Sequence, residues 1–140
     1  PYSSPSARPT AAPSTGQAIL IIDDDAPARD ALRRLLQHLG HVVVVAADGT
    51  AGIDCVRRQP TAIGLVLLDL CMHGMSGLET LRTLKSLSPR LPVVICSGYG
   101  DAGPVSAETL RTAGAMAVLA KPFEFADLSV LVRRATARDA

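Results

Sequence analysis

Apolar residues along this chain follow two alternating patterns. Four short uninterrupted runs, Ile19-Leu20-Ile21-Ile22, Val42-Val43-Val44-Val45, Leu65-Val66-Leu67-Leu68 and Val93-Val94-Ile95-Cys96, are too short for helices and read as strands. The first looks like a parallel strand buried on both faces. Between the runs, apolar residues recur at helical spacing. Leu32, Leu35, Leu36 and Leu39 stand at i, i+3, i+4 and i+7, with Asp25 placed to cap the start, Pro27 tolerated in the first turn and Gly40 available just past the end. After the Asp48-Gly49 turn, Ile53 and Val56 mark a short helix that must stop before Pro60. Leu78, Leu81, Leu84 and Leu87 mark a third helix, and Val105 to Ala113 a weaker fourth. Val118-Leu119 gives a fifth strand, and Leu128, Leu131, Val132 and Ala135 line one face of a last helix from about Glu124.

Strands and helices alternating five times predict an α/β domain with a parallel sheet, because each crossover helix returns the chain to the same end of the sheet. All strand C-termini then share one edge, where open sheets of this kind bind ligands. Polar residues follow four of the five strands: Asp23-Asp24-Asp25, Asp69, Ser97 and Lys121-Pro122. Carboxylates converging at one edge repel one another unless a cation neutralises them, and an all-oxygen ligand set suits a hard ion such as Mg²⁺. A lysine and a hydroxyl beside such a site can hold phosphoryl oxygens, so the chemistry expected is phosphoryl transfer. Each residue alone has a plainer reading. Asp25 reads as a helix cap, the Asp23-Asp24 pair and Asp69 could be turn residues, Ser97 could simply end a strand, and Lys121-Pro122 could be a solvated loop. Their joint order, each at a strand end, carries the inference.

Composition narrows the function classes. The chain has 140 residues, a length that fits one domain able to build its own core. A formal net charge of +1 with scattered basic residues lacks the footprint of a nucleic-acid binder, and no apolar run is long enough to span a membrane. Residues 1–17 hold four Pro and four Ser with no Ile, Leu, Val, Phe or Met. They read as a disordered Pro/Ser/Ala linker, and the start at Pro1 instead of Met reads as that of an excised fragment; the folded domain is expected over residues 18–140. Cys55, Cys71 and Cys96 are odd in number and irregularly spaced, which suits reduced thiols in a cytoplasmic protein. Cys96 reads as a small core hydrophobe, and His38 and His41, flanking Gly40, as helix-end residues. The 14 basic side chains are twelve arginines and two lysines, so Lys121 has only Lys85, read as a solvated residue on the third helix, as its counterpart.

Four ordered segments resemble the bacterial response-regulator receiver domain. ILIIDDDAPAR (Ile19 to Arg29) resembles its first strand and acidic pair, and LVLLDLCMHGMSGLE (Leu65 to Glu79) its phosphoacceptor segment. VVICSGYG and AKPFE complete the pattern, and the resemblance covers about residues 18–137. It implies a doubly wound, flavodoxin-like five-stranded sheet of order 2-1-3-4-5, an order that periodicity alone does not give. It also implies a metal site of Asp23, Asp24, Asp69 and the main-chain carbonyl of Cys71, holding Mg²⁺. Asp69 would be the phosphoacceptor, Ser97 the hydroxyl switch and Lys121 the phosphoryl-binding lysine. The implied partner is a histidine kinase or histidine phosphotransfer protein. Signal output would pass through the Gly98 to Gly103 loop to the surface of the fourth helix, fifth strand and fifth helix, which also leaves room for a homodimer. The Pro/Ser/Ala linker and the SGYG loop resemble receivers at the C-terminal end of hybrid sensor histidine kinases, which would tether the domain to a kinase; a stand-alone regulator is the alternative.

Three positions depart from the family pattern. His73 stands where proline is usual, and reads as a solvated loop residue. Val118 stands where many receivers carry an aromatic switch residue, so no ring is available there. Tyr99, two residues beyond Ser97, would flank an attacking water and slow hydrolysis, or would be a surface side chain. Three rivals remain. A haloacid-dehalogenase-type phosphatase needs an acid two residues after its nucleophile, where this chain has Cys71. A flavodoxin-like cofactor binder would suffer repulsion between its phosphate and the three aspartates after strand one. A degenerate receiver serving only as an interaction module would not need all five chemical positions filled.

Overall fold

The computed structural model describes residues 17–72, 74–98 and 105–137. Its elements run β1 (Ala18–Ile22), α1 (Ala26–His38), β2 (Val42–Ala46), α2 (Gly49–Arg58), β3 (Ile63–Asp69), α3 (Gly77–Leu87), β4 (Val93–Ser97), α4 (Ala107–Thr112), β5 (Ala117–Ala120) and α5 (Phe125–Ala137). The five strands form one parallel sheet of order β2-β1-β3-β4-β5. The expected fold class and strand order are therefore both observed.

The continuous apolar runs follow from burial on both faces. Along β1, Ile19 and Ile21 pack with Leu36 of α1 and Leu128 and Val132 of α5, whereas Leu20 and Ile22 pack with Ile53 and Val56 of α2, Leu81 and Leu84 of α3 and Leu110 of α4. The run Val42–Val45 looks equally apolar in sequence but forms the edge strand. Val42 and Val45 are exposed, because only one neighbour, β1, pairs with β2.

Helix ends follow local rules with one exception. Gly40, at φ 97°, ends α1: its N–H donates to the Gln37 carbonyl, and the His41 N–H reaches back to the Leu36 carbonyl. That left-handed residue favours glycine. Asp48, Ser76 and Ser106 cap α2, α3 and α4 through their side chains, Ser76 within a reciprocal capping box with Glu79. Asp25 occupies the N-cap position of α1 but makes no side-chain cap bond. Its N–H instead donates to Asp23 Oδ1, 2.9 Å away, so the capping role expected of Asp25 is replaced by a turn organised by Asp23. Lys85 is also corrected. Its ammonium donates to the Leu91 carbonyl at 2.8 Å and its stem packs against Gly114, so it ties α3 to the turns before β4 and β5. His41 is half-buried, and burial lowers its pKa below the usual histidine value.

The turn leaving β3 is held by main chain. The Leu70 N–H donates to the Cys96 carbonyl, and the Gly77 N–H donates to the Leu70 carbonyl at 3.3 Å. A Cβ on Gly77 would lie 2.7 Å from both the Cα and the carbonyl oxygen of Leu70, backbone atoms that cannot rotate away. Gly77→Ala is expected to destabilise the domain by about 1–3 kcal/mol, through overpacking. Urea unfolding measures it, and an unchanged midpoint would contradict the close approach of α3 to the end of β3.

Candidate functional site

The C-terminal edge of the sheet collects the polar residues that follow its strands. Asp23 leaves β1, with its N–H donating to the Ala46 carbonyl (3.2 Å) and its own carbonyl accepting from Arg29 Nη1 (2.7 Å). Asp69 is the last residue of β3 and Ser97 the last of β4. Asp23, Asp69 and Ser97 are buried polar residues, and Asp24 is half-buried. Their strands are neighbours: Ile22 pairs with Leu68, Asp69 with Cys96 and Ser97 with Ala120. Parallel register thus places these side chains side by side without any long-range loop.

Asp23, Asp24 and Asp69 each present a carboxylate oxygen, all within 4.8 Å of one another. Lys121, one residue beyond β5, directs its ammonium into this group, 3.1 Å from Asp69 Oδ1 and 3.6 Å from Asp23 Oδ2. Its backbone is set by a 2.7 Å bond from its N–H to the Ser97 carbonyl, and it precedes a cis bond to Pro122. Ser97 and Lys121 are therefore coupled through main chain. Asp25 is exposed and stands apart from the carboxylate cluster, which among the described residues holds three acids where the sequence suggested four.

Burial and close charges shift both Asp69 and Lys121. Burial pushes the Asp69 carboxyl above its ordinary value; the hydrogen bond and charge of Lys121 pull it back, and the charges of Asp23 and Asp24 push it up again. On Lys121, burial alone would lower the pKa, but the hydrogen bond its ammonium donates to Asp69 and the charges of Asp69 and Asp23 outweigh it and hold the ammonium above its usual value. Two like charges about 4 Å apart repel by roughly 4 kcal/mol at an effective dielectric near 20, so three carboxylates this close favour a cation among them. The crowded negative charge and the all-oxygen donor set fit a hard divalent cation. Cys96, buried beneath the site, has its thiol pushed up to about 12 by burial and stays neutral.

Other candidate positions fall around this centre. Cys71 follows β3 with an exposed side chain. Val118 is half-buried in β5 on the α4 side of the sheet, and Phe123 packs instead with the α1 and α5 layer. His73, Tyr99 and most of the Gly98 to Gly103 loop lie outside the described residues, as does nearly all of the 1–17 segment. Two contributors escape sequence reading. Arg29 reaches the site by a side-chain bond to a carbonyl, and Gly77 matters only through its close approach to Leu70.

The sequence matches the response regulator receiver domain family over residues 19–133. It is 36% identical over 119 residues to the transcriptional regulatory protein ZraR of Escherichia coli, covering 85% of this chain and 26% of that protein. It is 35% identical over 117 residues to the transcriptional regulatory protein FixJ of Bradyrhizobium diazoefficiens, covering 84% of this chain and 55% of that one. The chain thus spans between a quarter and a little over half of the length of these relatives. The fold superimposes on a response regulator receiver domain from Clostridium thermocellum with a TM-score of 0.82 at 31% identity, covering 88% of this chain and 96% of that one. The receiver domain of NtrX from Brucella abortus gives a TM-score of 0.77 at 31% identity, over 85% and 98%.

Because folding raises the pKa of Asp69, its favourable contribution to stability is complete below the unfolded value near 3.8 and is lost as pH rises through the folded pKa. In metal-free buffer, Asp69→Asn is expected to be more stable than the wild type at pH 7, with the difference vanishing toward pH 3. Thermal midpoints across this range in EDTA measure it, and equal midpoints at pH 7 would contradict the raised Asp69 pKa, whose first cause is burial.

Proposed function

The chain belongs to the response regulator receiver domain family of two-component signalling, and on that premise we propose that Asp69 accepts a phosphoryl group from a phosphohistidine. The observation that carries this reading is the convergence of three carboxylates and one lysine on a single sheet edge, with the Lys121 ammonium against both Asp69 and Asp23. The donor is a histidine kinase or histidine phosphotransfer protein. An Asp69 carboxylate oxygen forms the new bond to phosphorus as the phosphorus–nitrogen bond of the phosphohistidine breaks, and the electron pair leaves with the imidazole.

Asp23, Asp24, Asp69 and the main-chain carbonyl of Cys71 would hold Mg²⁺, whose charge, when bound, neutralises the carboxylates and the phosphoryl oxygens. Lys121, already on Asp69 Oδ1, supplies a fixed cation on one side of the reacting carboxylate. The Ser97 hydroxyl donates to the new phosphoryl group. Its movement draws on the loop after β4, and the main-chain bond from Lys121 to Ser97 carries the change to β5. The surface of α4, β5 and α5 is the output face, with Val118 in place of a ring, so repacking there works through aliphatic contact. The protein is a switch that catalyses its own acceptance and slow hydrolysis.

The relatives' description as transcriptional regulatory proteins refers to whole proteins, of which this chain matches a part. Attachment to a hybrid sensor kinase rests on the Pro/Ser/Ala segment and the SGYG loop alone. Among the described residues no helix is long and apolar enough to cross a membrane.

With Mg²⁺ and either acetyl phosphate or a phosphorylated kinase, the wild-type chain should gain one phosphoryl group by intact mass. Asp69→Asn and EDTA should each abolish that gain, and Lys121→Ala should slow it by about a hundredfold or more, the scale of losing one charge-stabilising group. Labelling of Asp69→Asn at the wild-type rate would refute the assignment.

A further inference from the structure

Every polar atom of Asp23 has a fixed neighbour. Its N–H donates to the Ala46 carbonyl, Oδ1 accepts from the Asp25 N–H, and Oδ2 faces the Lys121 ammonium at 3.6 Å. Its carbonyl accepts from Arg29 Nη1 at 2.7 Å. The first three neighbours are backbone or belong to the acceptor chemistry itself. Arg29 is different: it is a half-buried side chain at the start of α1 that the chemistry above leaves unused.

The carbonyl that Arg29 grips belongs to the peptide joining Asp23 to Asp24. The tilt of that peptide plane sets where both carboxylates point relative to Asp69. By taking the carbonyl, Arg29 fixes the plane and leaves both Asp23 carboxylate oxygens to other partners. Main-chain rotation at this junction would otherwise let like charges move apart, and binding a cation would have to reverse that. We propose that Arg29 is a positioning residue for divalent-cation binding, holding the Asp23–Asp24 peptide so that the two carboxylates converge on Asp69 before the cation arrives. Preorganisation of this kind appears as affinity, because less ordering is left to binding. The inference rests on the reading of the carboxylate cluster as the Mg²⁺ site.

Calorimetric titration with Mg²⁺ alone tests it, on wild type, Arg29→Ala, Arg29→Lys and, as a control, Arg34→Ala. Arg34 lies on the same helix, exposed and paired with Asp30. Arg29→Ala should weaken Mg²⁺ binding about tenfold, the lower end of what loss of a group supporting a metal ligand causes. Arg29→Lys, which can still donate to the carbonyl, should recover most of the affinity, and Arg34→Ala should bind as wild type does. Should Arg29→Ala not fold, Arg29→Gln replaces it in the same series. A lowered metal-free thermal midpoint with unchanged Mg²⁺ affinity would mean that Arg29 serves the fold only, and would overturn the proposal. Wild-type protein that binds no Mg²⁺ would instead overturn the metal reading on which it rests.

Discussion

Repulsion among three carboxylates is the constraint around which this domain is arranged. Asp23, Asp24 and Asp69 bring oxygens within 4.8 Å of one another at a largely buried sheet edge, with one lysine reaching two of them. Such a cluster is costly for the resting fold: burial above all, with the charges of Asp23 and Asp24 added to it, raises the pKa of Asp69. What destabilises the resting state also prepares the site. On the proposed reading, a divalent cation would supply positive charge to the cluster, and a phosphoryl group on Asp69 would give Lys121 a larger anion to hold.

A cluster of this kind needs a stiff frame, and the parallel sheet provides it. Asp69 and Ser97 end central strands whose side chains are buried on both faces, and Asp23 follows a third. The two layers of helices pack on these strands through Leu36 and Leu128 on one side and Leu81, Leu84 and Leu110 on the other. Main-chain bonds then join the strand ends: Leu70 to Cys96, and Lys121 to Ser97. The site is therefore rigid where it must oppose charges and linked by backbone where a displacement of Ser97 would have to travel.

Much of this was legible in the sequence because both signals are local. Uninterrupted runs such as Leu65–Leu68 are too short for helices and read as strands, and a parallel sheet necessarily gathers their C-terminal residues. Strand order was not legible from periodicity, which says nothing about neighbours; it came from resemblance to a family and agrees with the observed sheet. Other misses share a physical cause. Asp25 sat at the right position for a cap, but Asp23, two residues earlier, captured its N–H in a turn. Lys85 looked like a surface helix residue, yet the Leu91 carbonyl and the open face of Gly114 lie within its reach. Arg29 contacts a backbone carbonyl, a partner that every residue type offers and that no motif marks. The exposed valines of β2 could not be told from buried ones, because an edge is a property of the sheet and not of the strand.

The central claim is that the charge cluster directs a phosphoryl group to one of its three carboxylates. The most direct measurement is to trap the acyl phosphate by borohydride reduction after incubation with Mg²⁺ and a phosphoryl donor, and to locate the reduced residue by peptide mass spectrometry. The account predicts reduction at Asp69 alone, with Asp23 and Asp24 unmodified. Reduction at Asp23 or Asp24, or at none of the three while the protein is folded and metal-bound, would contradict it.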